Sequence, residues 1–254
     1  MPLSETVLES LPDEVRSTLR AYVSDLARIF GSAMEAVLLY GSAARGEFLP
    51  GQSNLNLLVV LSCYDAATMD RYAKVHRRWQ KEGIVVPLFF TPEEMQRSAA
   101  CFPLEYLEIQ DAYVLLKGRD PFPPVHVDLR ELRAACVQSI YGNLLRLRQR
   151  FVEGGGKAET AAILMPLSLT ALVPALRGLL RALERNAPLS SEAVFGELKS
   201  ALDLDPAVYE EVLHVKRGLI TPGPLELPRL FDRYHEALQT LTMKVAQLPK
   251  TIAS

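Results

Sequence analysis

The sequence predicts an α+β domain with a small mixed sheet, followed by an all-α helical bundle. Three observations carry this. Short apolar runs at 36–40, 55–61 and 84–90 lie in the first half of the chain, each too short for a buried helix and separated by amphipathic tracts. The Pro-rich stretch Pro121-Phe122-Pro123-Pro124 punctuates the chain near its middle. Beyond it strand signals disappear and five helical tracts follow with short links, for which an up-and-down bundle is the default. The domains are therefore drawn at 1–122 and 123–254.

Each element follows from its own signals. Leu11-Pro12-Asp13-Glu14 opens a helix, with Pro early and acids in the first turn, and Val15, Leu19, Tyr22, Leu26 and Phe30 recur at helical spacing until Gly31. Ala36–Tyr40 and Leu55–Leu61 read as buried strands. Residues 65–82 are helical in pattern and stop at Gly83. In the third run, Ile84–Phe90, Pro87 cannot donate to a ladder, which predicts an edge strand or a bulge. Thr91-Pro92-Glu93-Glu94 is a capped helix start, and Tyr113–Leu116 a last short strand. In the second half, Asp128 opens a helix reaching Val152 and the Gly154–Gly156 turn. A long tract from Lys157 to Asn186 follows, with a kink expected at Pro166 and at Pro174. Helices over 190–202, after Asp205 with Pro206 as its first residue, and over 225–248 complete the chain.

Composition narrows the function classes. The chain has 254 residues, 49% hydrophobic and 23% charged, as in a packed globular protein. A formal net charge of −2 supplies no global basic field for nucleic acid, and the short basic runs around Lys74 and Arg146 read as solvated faces. Cys63, Cys101 and Cys136 are far apart and odd in number, which indicates neither a disulfide framework nor a zinc site and suits a reducing, cytoplasmic setting. The most apolar stretch, Ala161–Leu183, contains Pro166, Pro174, Arg177 and Arg181, so a buried helix is expected there rather than a membrane span.

The stretch from Tyr40 to Leu61 carries the chemistry. The first apolar run ends in Gly41-Ser42; a segment able to wind as a helical turn follows, then Pro50-Gly51, then a strand opened by polar residues at alternate positions, Asn54 and Asn56. Gly41 lets a ligand approach the backbone closely. Ser42 and the following N–H groups open a turn of the kind that attracts phosphate, and Arg45 offers a charge-assisted contact. Equally, Gly41-Ser42 is the turn that a strand-to-helix connection requires, with Arg45 on the surface.

This layout resembles the nucleotidyltransferase superfamily, the fold shared by DNA polymerase beta and kanamycin nucleotidyltransferase. That family places a Gly-Ser turn after its first strand, two acids at alternate positions on the second, and a third acid on a later strand. The two-domain plan and the stretch Phe102–Leu107 leading to Leu115–Phe122 also look like the kanamycin enzymes. The resemblance implies transfer of a nucleoside monophosphate from a triphosphate to an acceptor, with two Mg²⁺ ions held by carboxylates that point the same way from alternate strand positions. Here Asn54 and Asn56 stand in place of the two acids, and residues 83–90 contain none. An amide offers one neutral acceptor oxygen where a carboxylate offers two charged ones, and magnesium prefers the latter. Glu47, Asp65, Glu93 and Glu94 lack the alternate-strand placement.

The expected function is therefore a pseudoenzyme of nucleotidyltransferase fold. It keeps a nucleotide or phosphate site at Gly41, Ser42 and Arg45, holds no metal, and acts as a binding or regulatory partner, with a nucleoside triphosphate, a protein or a second copy as ligand. The alternative is an active, Mg²⁺-dependent nucleotidyltransferase acting on a small-molecule or protein acceptor; a third reading is a structural partner in a complex. The remaining signals read as ordinary. His76, with Arg71, belongs on a solvated helix face, and His126, His214 and His235 take surface or capping roles. Trp79 takes a packing role, and Tyr141, Tyr209 and Tyr234 read as core or boundary residues.

Overall fold

Two apolar runs pair directly, and the sheet grows outwards from them. In the computed structural model, which describes residues 5–122 and 127–248, β1 (Met34–Tyr40) pairs antiparallel with β2 (Asn56–Leu61). β3 (Leu88–Phe90) adds parallel to β2, and β4 (Tyr113–Gly118) adds antiparallel to β1, giving the order β3-β2-β1-β4. β3 is an edge strand, as Pro87 requires. It is shorter than the apolar run: residue 84 makes only an isolated bridge to Leu55, and the ladder resumes after Pro87.

Alternation sorts the sheet into two faces. Val37, Leu39, Leu57 and Val59 pack with Leu19, Tyr22, Leu26 and Phe30 of α2 (Asp13–Phe30) and with Tyr72 and Trp79 of α3 (Ala66–Trp79). Leu38, Leu58 and Val60 occupy the opposite face and are equally buried. A five-residue helix, α1 (Glu5–Glu9), precedes α2. Pro12, expected early in the helix, stands at the N-cap position of α2 instead.

The stretch after β3 forms two helices. In α4 (Pro92–Cys101) Thr91 and Glu94 make the reciprocal capping box that the sequence signals. α5 (Pro103–Asp111) begins at Pro103, whose ring cannot continue the previous helix but suits a first helical position.

Two compact units divide the chain, Met1–His126 and Val127–Ser254. The boundary drawn after residue 122 abuts residues 123–126, which lie outside the described residues, as does His126. The second unit comprises α6 (Leu129–Glu153), α7 (Ala158–Ala182), α8 (Ser191–Leu202), α9 (Ala207–Lys216) and α10 (Glu226–Gln247). α7 runs as a single helix through both Pro166 and Pro174. By length and composition it is apolar enough to cross a membrane, yet 67% of its apolar window is buried within the protein. α9 begins one residue later than expected, with Asp205 accepting from the Ala207 N–H at 3.0 Å.

Candidate functional site

The Gly41-Ser42 turn is anchored from beneath. Gly41 has a φ of 81°, a left-handed conformation that favours glycine. Ala43 and Ala44 are fully buried and belong to the core formed with α2 and α3. The Arg45 N–H closes a helical turn on the Gly41 carbonyl at 3.1 Å, and the Glu47 N–H reaches the Ser42 carbonyl at 2.9 Å. Gly46, at a φ of 75°, stops the winding after one turn. Among the described residues the backbone N–H groups of Ser42, Ala43 and Ala44 find no acceptor, although burial normally demands one.

Asn56 opens β2 directly opposite Tyr40, which in turn stands opposite Tyr113 on β4. Opposed residues in antiparallel strands share a face. The half-buried Asn56, Tyr40 and the buried Tyr113 therefore form one row across the sheet beside the turn. Burial raises the Tyr40 phenol above its usual value. Burial and the hydrogen bond to Asp120 at 2.6 Å raise that of Tyr113. Asn54 lies two residues before the strand and is exposed. Of the two amides, only Asn56 borders Gly41: a Cβ added there would meet its Nδ2 at 2.8 Å.

Arg45 is not the surface residue of the simpler expectation. Its side chain is 12% exposed, and its guanidinium pairs with Glu47 at 3.4 Å and with Glu108 of α5 at 3.2 Å. Sequence reasoning missed Glu108. The available signal is α5 itself, which carries Glu105, Glu108 and Asp111 without a base.

The two Mg²⁺ ions that the resemblance implies do not fit the residues present. The donors at 54 and 56 are neutral amides, and among the described residues no group of three His, Cys, Asp or Glu side chains is placed to hold a metal ion.

No family profile and no curated protein sequence matches the chain. Among solved structures it is similar to the spectinomycin adenyltransferase AAD(9) from Enterococcus faecialis, crystallised with ATP and spectinomycin. The likeness has a TM-score of 0.57 at 11% identity and covers 88% of this chain and 98% of that one. The fold is that of a nucleotidyltransferase. At this identity the likeness speaks for the arrangement of elements, a mixed-sheet domain followed by a helical one.

The other singled-out residues are structural. His76 is buried rather than solvated, and its Nδ1 lies 2.8 Å from the Tyr72 hydroxyl, itself 2.7 Å from that of Tyr22. Burial alone forces this: His76 falls on the α3 face that packs on α2. His235 is neither a surface nor a capping group, since its Nε2 accepts from Arg148 at 2.9 Å. His214 is exposed. Trp79 is buried and donates to Asp25 at 3.0 Å, with the Arg78 guanidinium 4.2 Å from its ring centroid.

Proposed function

We propose that this nucleotidyltransferase-fold protein binds the phosphate of a nucleotide at Gly41 and Ser42, without metal-dependent transfer, and acts as a binding or regulatory partner. The observation that carries this reading is the trio of unpartnered N–H groups at Ser42, Ala43 and Ala44, two of them on fully buried residues. Successive amides of this kind form an anion-binding concavity. Arg45 follows these residues in the turn and pairs with Glu47 and Glu108, so it contributes only to the extent that a phosphate competes with them for it. Asn54 and Asn56 preserve side-chain size but supply no charge to gather divalent ions. The exposed, unbridged Cys63 and Cys101 are in keeping with a reducing, cytoplasmic setting.

A second reading, active transfer from a triphosphate to a small-molecule acceptor, is favoured by one observation, the fold likeness to an adenyltransferase crystallised with ATP and its acceptor.

Thermal melting in the presence of ATP, GTP, CTP or UTP, each with and without Mg²⁺, separates the two. The binding reading expects stabilisation that does not require Mg²⁺. Incubation with labelled triphosphate is expected to give no incorporation into any acceptor. Mg²⁺-dependent stabilisation together with incorporation would replace this reading with the enzymatic one. No stabilisation by any nucleotide would remove the phosphate site and leave a structural role.

A further inference from the structure

α6 and α7 enclose a shallow groove whose two walls differ in chemistry. Arg146 and Arg150 stand on the α6 wall, and Leu164, Leu167 and Ala171 form the α7 wall. We propose that this groove docks an acidic amphipathic helix of a protein partner. Carboxylates one turn apart on that helix meet the two arginines, and its leucine-type side chains meet the α7 wall. The surface lies wholly within the helical unit and does not rest on the phosphate-binding reading above.

Three features of the groove weaken the folded chain, and its own packing explains none of them. Arg146 and Arg150 are four residues apart on one helix, where like charges repel. Both are exposed, and among the described residues neither has an acid or a hydrogen-bond partner, whereas Arg148 between them bonds to His235 at 2.9 Å. Gly142 stands in the middle of α6, where glycine is a poorer helix former than alanine. Its bare Cα seats the Arg146 guanidinium: a Cβ there would meet Nη1 at 3.0 Å. On α7, Leu167 is 52% exposed, and Ile163, one turn before it, is 63% exposed. An exposed apolar residue alone is ordinary, but this pair adjoins unpaired cations.

Charge complementarity selects the occupant. Two cations at i and i+4 match carboxylates at the same spacing on a facing helix, and an apolar wall between helices takes leucine-type anchors. A second copy seated on this groove by a two-fold axis brings the same arginines of both chains into one interface, where they repel. None of the described residues lining the groove is aromatic, so a nucleic acid would find cations there without a stacking platform.

The test is fluorescence anisotropy of the full chain with three labelled synthetic peptides of about five helical turns. The first carries leucines at i, i+3, i+4 and i+7 with glutamates beside them. The second has lysines in place of the glutamates, and the third has serines in place of the leucines. The first is expected to bind at least about tenfold more tightly than either of the others. Arg146→Glu with Arg150→Glu should invert the order of the first two, and Leu167→Ser should weaken the first several-fold. Should charge reversal prevent folding, Arg146→Gln with Arg150→Gln must abolish the preference between the first two. Gly142→Ala is expected to raise the melting temperature and yet weaken the first peptide; unchanged binding overturns the seat assigned to Gly142. Equal binding of the three peptides, or binding of none, overturns the docking surface, as does a charge preference indifferent to the arginine variants. Self-association in ultracentrifugation that Leu167→Ser abolishes assigns the face to a second copy. Flotation with phosphatidylserine vesicles that requires Arg146 and Arg150 assigns it to a membrane. Either result overturns the proposal. Melting shifts with nucleotides report the phosphate site separately, so the two readings fail independently.

Discussion

The carboxamide of Asn56 covers the bare Cα of Gly41: a methyl group at residue 41 would stand 2.8 Å from Asn56 Nδ2. Two costs attach to Gly41→Ala, and their sizes differ. The amide is the far end of a side chain and can give way. The backbone φ of 81° cannot be relaxed without moving the turn. A left-handed conformation costs an L-residue about 1–2 kcal/mol. Gly41→Ala is therefore expected to destabilise by roughly that amount in urea unfolding. Adding Asn56→Ala should recover only a minor part of it. Full recovery would mean that contact, and not backbone conformation, requires glycine.

Asp25 joins α2 to α3 from the inside. Its side chain is 10% exposed and accepts the Trp79 indole N–H at 3.0 Å, while Arg28 and Arg78 approach from solvent, 75% and 67% exposed. The exposed arginines contribute little, since pairs of that kind are worth about 0–1 kcal/mol. Asp25→Ala leaves the Trp79 N–H buried and unpaired, which costs about 1–3 kcal/mol. We expect Asp25→Ala to lower the urea midpoint clearly and Arg28→Ala hardly at all. The reverse order would assign the stabilisation to the ion pair.

Acid should weaken the protein before its carboxylates titrate. Burial lowers the pKa of His76, and burial together with the neighbouring Arg148 lowers that of His235. A lowered folded-state value means that the unfolded chain takes up the proton first, so this contribution is complete above about pH 7 and declines as pH falls through the ordinary histidine value of about 6.5. Melting temperature is expected to drop between about pH 7 and 5, and His235→Asn or His76→Gln should each flatten part of the slope. A flat profile in the natural chain would show that neither ring is held neutral by its surroundings.

In the helical unit, Ser168 is the centre of a buried polar trio. It donates to Asn143 Oδ1 at 2.6 Å, its carbonyl accepts from Asn143 Nδ2 at 2.8 Å, and its hydroxyl lies 3.1 Å from that of Tyr234. Ser168→Ala strips a partner from two buried groups at once, and a loss of about 2 kcal/mol is expected. Thr170→Ala, two residues along the same helix on its exposed side, removes only a hydroxyl bonded to the Pro166 carbonyl and should change stability by less than about 0.5 kcal/mol.

What the sequence revealed were features whose causes are local. The capping box at Thr91 and Glu94, the edge position forced by Pro87, and the Gly41-Ser42 turn all depend on neighbours within a few residues. Side-chain contacts between residues far apart in the chain do not. Glu108 meets Arg45 across 63 residues of chain, Trp79 meets Asp25 across 54, and His235 meets Arg148 across 87. No periodicity encodes such pairs. For that reason Arg45 reads equally as a phosphate contact or a surface residue, His76 as solvated and His235 as a surface or capping group until the chain is folded. The five residues of α1 are likewise too few to display a helical repeat. Pro166 and Pro174, where a kink is expected, both lie inside the single helix α7.

Tyr113, Tyr40 and Asn56 are fixed side by side by main-chain ladders on β1, with β2 held on its other flank by β3. That framework is held by main-chain hydrogen bonds, so the side chains at 54 and 56 can be exchanged, Asn54→Asp and Asn56→Asp included, without disturbing the order of the strands.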